Sequence, residues 1–164
     1  MSNYDFARTY FNQGMRKIKE NQYKEAIDCF HRAYELNPAD TNIYFYRGLA
    51  FAQLRGYDAA IHDFDSVIRF QPDNYAAYNN RGKAKSYLNR HTEAIMDYTC
   101  AIEFKSDYAT AYFNRGKAWA KQGQTLKAES DLQTALKLET KTGNMAFVSV
   151  IEKELRLLKE DNLT

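Results

Sequence analysis

One short pattern recurs along this chain at a fixed interval of 34 residues, and it constrains the fold more than any other feature. In each copy a tyrosine is followed four positions later by a glycine. The tyrosines are Tyr10, Tyr44, Tyr78 and Tyr112, and the glycines are Gly14, Gly48, Gly82 and Gly116. Alanine recurs with the same period at Ala26, Ala60, Ala94 and Ala128. Such a period indicates a supersecondary unit that buries its apolar face only against neighbouring copies.

The composition favours helices as the repeated element. Only two Pro and seven Gly occur in 164 residues, so few positions interrupt a helix. An aromatic content of 15 % excludes a disordered chain. Pro38 and Pro72 lie one period apart, and each ends a helix because the residue before proline disfavours helical geometry. Asp40 and Asn74 can then cap the helix that follows.

The recurring glycines fall inside predicted helices, where glycine costs about 1 kcal/mol relative to alanine. That cost is tolerable where a partner helix crosses too closely for a Cβ atom. We therefore expect the recurring alanines to provide the small surface of the partner helix at this crossing. The recurring tyrosine and phenylalanine side chains then fill the space between one hairpin and the next.

These positions resemble the tetratricopeptide repeat (TPR) family. Its pattern is an aromatic residue, a small residue, an alanine, a second aromatic residue, another alanine and a proline. The resemblance implies an all-α fold, a right-handed α-solenoid of antiparallel helix pairs, in a single domain over residues 1–164. The implied repeats are 7–40, 41–74, 75–108 and 109–142. The residues that carry the pattern are structural, so the pattern is specific for the fold and weak for the function.

The pattern ends after residue 142, where Gly143 and Asn144 interrupt the chain. Four apolar residues then share one face of a predicted helix over about 144–160: Phe147, Ile151, Leu155 and Leu158. A solenoid must cover its last apolar surface, so we interpret this helix as a cap. Val148, Val150 and Leu157 lie off that face. For these three residues, partial burial and self-association through the helix are both open alternatives.

The resemblance also implies that the first helix of each hairpin lines an inner, concave groove in which a partner binds. The residues that we predict to bind a peptide there are Asn12, Phe45, Tyr46, Asn79, Asn80, Lys83, Phe113, Asn114, Lys117 and Lys121. Asn12, Asn80 and Asn114 share one repeat position, and their amides can donate to and accept from an extended backbone. This row is similar to the asparagine ladder of protein O-GlcNAc transferases. For Phe45 the alternative is packing between repeats.

Charge is divided between the two helices of each predicted hairpin. Positions 1–14 of the four repeats hold eleven Lys or Arg and one acid, Glu20, whereas positions 15–34 hold nine bases and fifteen acids. This division predicts a partner with an acidic surface, whose attraction mainly speeds and orients the encounter. The alternative is that these charges are solvated, and that Arg47, Arg81 and Arg115 pair with acids on neighbouring helices.

The sequence contains no phosphate-binding loop, HExxH motif, nucleophile elbow or Cys/His metal cluster. His31, His62 and His91 occupy unrelated repeat positions. Asp63 and Asp65 are expected on outward helix faces in contact with solvent. We therefore predict that the protein is not an enzyme and uses no cofactor or metal.

The remaining features favour a cytoplasmic protein. Cys29 and Cys100 lack any partner spacing, which indicates a reducing compartment and ordinary core packing. No run approaches the roughly 18 apolar residues that a membrane span needs. The segment Met1–Phe6 has neither the basic start nor the apolar run of a signal peptide.

We predict a protein–protein interaction module, an adaptor, scaffold or assembly chaperone, that binds an extended and acidic segment of another protein. Co-chaperone TPR domains bind acidic tails through a carboxylate clamp of Lys, Asn and Arg. In either frame this chain keeps at most Asn80 of that clamp, which disfavours a tail-binding co-chaperone. A secretion-type chaperone for an exported subunit is an alternative. Binding of single-stranded RNA is a remote one, because aromatic residues and cations alternate but the net charge is only +2.

Overall fold

The computed structural model describes residues 2–161, and within them it contains nine α-helices and no β-strand. The helices are α1 (Asn3–Lys19), α2 (Tyr23–Leu36), α3 (Thr41–Gln53), α4 (Tyr57–Phe70), α5 (Tyr75–Tyr87), α6 (His91–Phe104), α7 (Ala109–Lys121), α8 (Thr125–Thr142) and α9 (Met145–Asp161). Each predicted repeat contains one helix pair, with α3 and α4 in repeat 41–74, for example. The prediction of an all-α fold is confirmed.

The chain divides between Ala84 and Lys85, inside α5, into two compact units. The first unit contains α1 to α4 and most of α5, and the second contains the end of α5 and α6 to α9. The single domain over residues 1–164 stays a prediction. Within residues 2–161, no helix is long and apolar enough to cross a lipid bilayer.

The turn inside each hairpin has the same backbone geometry. One residue in each turn has a positive φ angle between 58° and 70°, and these residues are Asn21, Arg55, Asn89 and Gly123. The residue that follows donates its backbone N–H into the preceding helix, for example from Gln22 to the carbonyl of Lys17 at 2.9 Å. This arrangement satisfies carbonyl groups that the helix end leaves unpaired. The repeat period therefore extends to a position that no single residue type marks in the sequence.

Arg55 is the costly member of this set, because a left-handed conformation is unfavourable for residues other than Gly, Asn or Asp by about 1–2 kcal/mol. We expect Arg55→Asn to raise the free energy of unfolding by about 0.5–1 kcal/mol, measured by urea denaturation. Arg55→Ala removes the same exposed side chain but keeps the unfavourable backbone, so it is expected to give no gain. An equal gain in both variants would show that the backbone conformation is not the cause.

The predicted close approach of two helices at the recurring glycines is present in each unit. A Cβ atom at Gly14 would lie 2.7 Å from the ring of Phe30. At Gly116 it would lie 3.1 Å from both Cγ of Leu132 and the backbone oxygen of Ala128. The recurring alanines are fully buried: Ala26, Ala60, Ala94 and Ala128. The expectation that alanine side chains form the crossing needs correction, because the nearest side chain belongs to the Phe or Leu four positions later.

Helix α9 packs against the core of the second unit through the face that the sequence predicts. Ile151 and Leu158 are buried in one cluster with Leu132, and Phe147 and Leu155 are half-buried against it. The apolar end of α8 is therefore covered by α9 rather than by solvent. This coverage is what a cap supplies to the end of a repeat array.

Three other apolar residues of α9 have different environments. Val148 is buried, because it precedes Ile151 by three residues and so lies on the same side of the helix. Val150 and Leu157 are exposed. Burial is therefore the outcome for Val148, whereas self-association through Val150 and Leu157 stays a prediction that sedimentation velocity at increasing concentration can test.

Candidate functional site

The first unit brings two predicted site residues, Phe45 and Tyr46, into contact on α3. Their ring centroids are 5.5 Å apart and the rings are close to perpendicular. The ring of Tyr46 lies 5.7 Å from that of Phe11 on α1, and the ring of Phe45 lies 5.9 Å from that of Phe64 on α4. Both residues are half-buried. The alternative of packing between repeats therefore accounts for part of each side chain, while the rest of each ring is accessible to a partner.

A cleft of about 330 Å³ lies beside these rings in the first unit. Its walls come from the start of α3, the turn between α4 and α5, and the start of α5. The residues that shape it for binding are Asn42, Phe45, Tyr46, Gln71, Asp73 and Asn74. The three residues of the turn were not among the predicted site residues. Pro72 marked this turn in the sequence, but nothing in the sequence indicated that its neighbours border a cleft.

A chain of hydrogen bonds fixes the wall that the turn forms. Gln71 donates from Nε2 to Oγ1 of Thr41 at 2.8 Å. Asn74 donates from Nδ2 to Oε1 of Gln71 at 2.8 Å. Its Oδ1 accepts from the backbone N–H of Ala77 at 2.9 Å, which caps α5 as predicted. The side chains of Gln71 and Asn74 are thus held in place before any ligand arrives.

The four predicted asparagines have different environments. Asn12 is exposed, and Asn80 and Asn114 are half-buried. Asn80 donates from Nδ2 to the backbone oxygen of Ala76 at 2.8 Å, so one of its donor hydrogens is used within its own helix. Asn79 is only 3 % exposed. A side chain so deeply buried cannot reach a peptide on the surface, and we leave Asn79 out of the proposed binding surface.

Ion pairs inside the hairpins occupy several of the first-helix cations. Arg47 donates from Nε and Nη2 to the two carboxylate oxygens of Asp63, at 2.8 and 2.7 Å. Arg115 makes the same two-pronged contact with Asp131, at 2.7 and 2.9 Å. Asp63 is only 1 % exposed. The expectation of a solvated Asp63 is therefore wrong, because the guanidinium of Arg47 compensates the buried carboxylate.

Two further pairs involve the third repeat. Arg81 lies 2.6 Å from Asp65, and Lys85 lies 2.9 Å from Asp97. The alternative that the arginines beside the glycines pair with neighbouring acids is thus confirmed for Arg81, as for the two arginines above. Much of the charge division between the helices therefore serves the hairpins themselves.

Hydrogen bonding keeps the guanidinium of Arg115 charged. Its bonds to Asp131 raise the pKa of Arg115 above the ordinary value, although burial acts in the opposite direction. The pair consequently stays ionised at physiological pH. Among residues 2–161, no group of three or more His, Cys, Asp or Glu side chains is placed to hold a metal ion.

Lys83 and Lys121 differ from those paired cations. Both are exposed on first helices, Lys83 on α5 in the first unit and Lys121 on α7 in the second. Neither makes an ion pair with any residue in the described part of the chain. These two predicted site residues are therefore available to an anionic partner.

Helix α9 contacts two of the predicted site residues in the second unit. The ring of Phe113 lies 5.2 Å from that of Phe147. The ammonium of Lys117 lies 5.4 Å from the centroid of the Phe113 ring and 3.7 Å from a carboxylate oxygen of Glu154. The Lys117 side chain is still 45 % exposed, so α9 borders it without covering it. Sequence reasoning placed α9 at the end of the array and did not anticipate these contacts.

Comparison with known proteins identifies the repeat. A sequence model described as tetratricopeptide repeat matches residues 11–75 and 51–99, and one described as TPR repeat matches residues 87–123. No curated protein matches the chain. The crystal structure of MamA superposes with a TM-score of 0.80 at 22 % identity, over 84 % of this chain and 81 % of that one.

Two other similar structures concern peptide recognition by their own descriptions. The first TPR of Spaghetti (RPAP3), bound to the HSP90 peptide SRMEEVD, has a TM-score of 0.71 at 23 % identity, over 74 % of this chain and 97 % of that one. YrrB, described as a TPR protein with an unusual peptide-binding site, has a TM-score of 0.74 at 20 % identity, over 82 % and 69 %. Together with the helix content, these likenesses show an all-α TPR solenoid fold. Because the family models match more than half of its residues, the chain belongs to the tetratricopeptide repeat family.

Proposed function

We propose that this protein–protein interaction module binds an extended, acidic segment of a partner, as an adaptor or an assembly chaperone in the cytoplasm. The observation that carries the proposal is the exposure of Lys83 and Lys121, which no acid of the described chain neutralises. Arg47 and Arg115 are engaged inside their hairpins and contribute little to an external partner. The usable positive charge of the first helices is thus concentrated in lysines that face solvent.

The other predicted residues supply the remaining contacts in this proposal. The amides of Asn12, Asn80 and Asn114 offer hydrogen bonds to the backbone of an extended segment, each worth about 1 kcal/mol net. Three such bonds do not suffice for stable binding. The exposed parts of Phe45 and Tyr46 therefore provide the anchoring contacts, since buried aromatic groups carry most of the energy at interfaces.

Two structural neighbours support this proposal by analogy. The Spaghetti domain is bound to a peptide, SRMEEVD, that contains three acidic residues. The YrrB structure is described by its peptide-binding site. A partner segment that is extended and acidic is therefore compatible with the fold, although the clamp residues of tail-binding co-chaperones are absent from this sequence.

The proposal is tested by affinity capture from native cell extract with the variant Lys83→Glu/Lys121→Glu. Charge reversal at these exposed positions is expected to abolish recovery of the partner, and added salt is expected to weaken recovery by the wild type. Lys121 is preferred to Lys117 because reversal at Lys117 would also repel Glu154 and disturb α9. Each captured protein is identified by mass spectrometry.

The matched control is Lys24→Glu/Lys137→Glu, which makes the same charge change on exposed positions of the second helices α2 and α8. This control is expected to recover the partner as well as the wild type does. Equal recovery by both double variants would contradict the proposed surface. Loss of recovery after RNase treatment would instead favour the RNA alternative, and release of the partner on export would favour a secretion chaperone.

A further inference from the structure

The cleft beside Phe45 and Tyr46 carries negative charge and no positive charge. Asp73 borders it, and none of the residues that line it is Lys, Arg or His. Asp73 is exposed and makes no ion pair or side-chain hydrogen bond with any residue in the described part of the chain. A second carboxylate, that of Asp40, lies next to the cleft, where it accepts from Asn42 at 3.0 Å. The local charge is thus opposite to that of the exposed lysines.

Two helix starts border the cleft, but their N–H groups are already used. The side chain of Asp40 accepts from the backbone N–H of Asn42, and Asn74 accepts from that of Ala77. Helix N-termini favour anions only through unpaired N–H groups and the helix dipole. Because the capping side chains satisfy these groups and Asp73 adds a negative charge, the cleft does not favour an anion.

The groups that remain available in the cleft are acceptors and aromatic faces. The carboxylate of Asp73 and Oδ1 of Asn42 can each accept a hydrogen bond. The half-buried rings of Phe45 and Tyr46 offer π faces, which attract cations within about 6 Å. A volume of about 330 Å³ is at the lower end of the range for small-ligand sites. That space accommodates one long side chain rather than a whole peptide.

We propose that this cleft binds the side chain of an arginine or lysine residue in the partner's segment. The cation lies against the rings of Phe45 and Tyr46 and pairs with the carboxylate of Asp73. This inference rests on the proposed function and sharpens it, because the partner's segment then carries one basic residue beside its acidic ones. Attraction by the lysines brings the segment to the protein, and the cleft selects its register.

The test is an NMR titration of the ¹⁵N-labelled full chain with the tripeptide acetyl-Gly-Arg-Gly-amide. Its neutral analogue, with citrulline in place of arginine, has nearly the same shape and no charge. The arginine tripeptide is expected to shift the amide resonances of Asn42, Tyr46 and Asp73 and to bind about tenfold more tightly than the citrulline tripeptide. The lysine tripeptide is expected to show the same preference over citrulline.

Asp73→Asn is expected to weaken binding of the arginine tripeptide about fivefold to tenfold. The control is Asp28→Asn, which neutralises an exposed acid on α2 that does not line the cleft and is expected to leave binding unchanged. Equal affinity for arginine and citrulline, or an equal loss in both variants, would overturn the proposal. Tighter binding of acetyl-Gly-Glu-Gly-amide would also overturn it, because the cleft would then favour an anion.

The two proposals can fail separately. Loss of the arginine preference, together with capture that still depends on Lys83 and Lys121, would refute the cleft assignment alone. An arginine preference that depends on Asp73, together with capture that ignores both lysines, would refute the acidic-segment function and leave the cleft assigned.

Discussion

Replacing Asp63 with alanine is expected to lower the free energy of unfolding by about 3–5 kcal/mol, measured by urea denaturation. Asp63 is almost completely buried and binds both nitrogen donors of Arg47, whose own side chain is only 10 % exposed. The guanidinium also lies over the rings of Tyr34 and Tyr44, at 5.3 and 5.7 Å. Removing the carboxylate leaves a positive charge in surroundings that cannot solvate it.

Asp65→Ala is the matched control, because Asp65 lies two residues away on the same helix and also pairs with an arginine. Its side chain is 49 % exposed, so the pair with Arg81 is screened by water. Exposed ion pairs contribute about 0–1 kcal/mol, and this variant is expected to lose no more than that. Similar losses at Asp63 and Asp65 would contradict the interpretation that burial determines the cost.

A double variant distinguishes a loss of charge compensation from a loss of packing. Arg47→Met/Asp63→Leu removes both charges and keeps most of the volume. Replacing a complete buried ion pair with apolar residues is often close to neutral, so the double variant is expected to be more stable than Asp63→Ala. A double variant less stable than Asp63→Ala would show that the hydrogen-bond geometry itself stabilises the hairpin.

Ile151→Ala is expected to lower the free energy of unfolding by about 2–5 kcal/mol. Ile151 on α9 is completely buried against Leu132, so truncation removes apolar contacts and leaves a cavity. The adjacent Val150 is 49 % exposed, and Val150→Ala is expected to change stability by less than about 0.5 kcal/mol. Urea denaturation of both variants measures the difference. Comparable losses at the two neighbours would mean that α9 packs on a face other than the one described.

The helices of this fold could be predicted from the sequence because each repeat solves the same packing problem with the same residues. A glycine that meets Phe30 in one hairpin and its equivalent that meets Leu132 in another lie at the same repeat position. Agreement over several copies makes chance an implausible explanation for the pattern. The face of α9 followed from a simple helical period, since Ile151 and Leu158 lie one heptad apart.

The environment of individual charges could not be predicted with the same success. Counting charges by helix position does not reveal that Asp63 faces inward and Asp65 outward, because two residues on one helix point in different directions. A usable signal was present, since Arg47 and Asp63 are 16 residues apart, as are Arg115 and Asp131. A recurring Arg–Asp interval indicates pairing within hairpins and would have reduced the charge assigned to the groove.

Contacts that α9 makes with the predicted site were also beyond the sequence. The stripe through Ile151 predicted that the helix covers an apolar surface. It did not predict that Glu154 approaches Lys117. Such a contact depends on the lateral position of one helix on another, which no period within a single helix specifies.

Phe147 stands 34 residues after Phe113 and packs on its ring, so α9 begins as the leading half of one more repeat would begin. The array therefore ends on a junction of the kind that it uses internally. A protein engineer could exchange α9 for a complete hairpin with phenylalanine at the same register and keep this contact. Modular lengthening by whole units is consequently built into the terminus, with the exposed Val150 and Leu157 marking the surface that an added helix would cover.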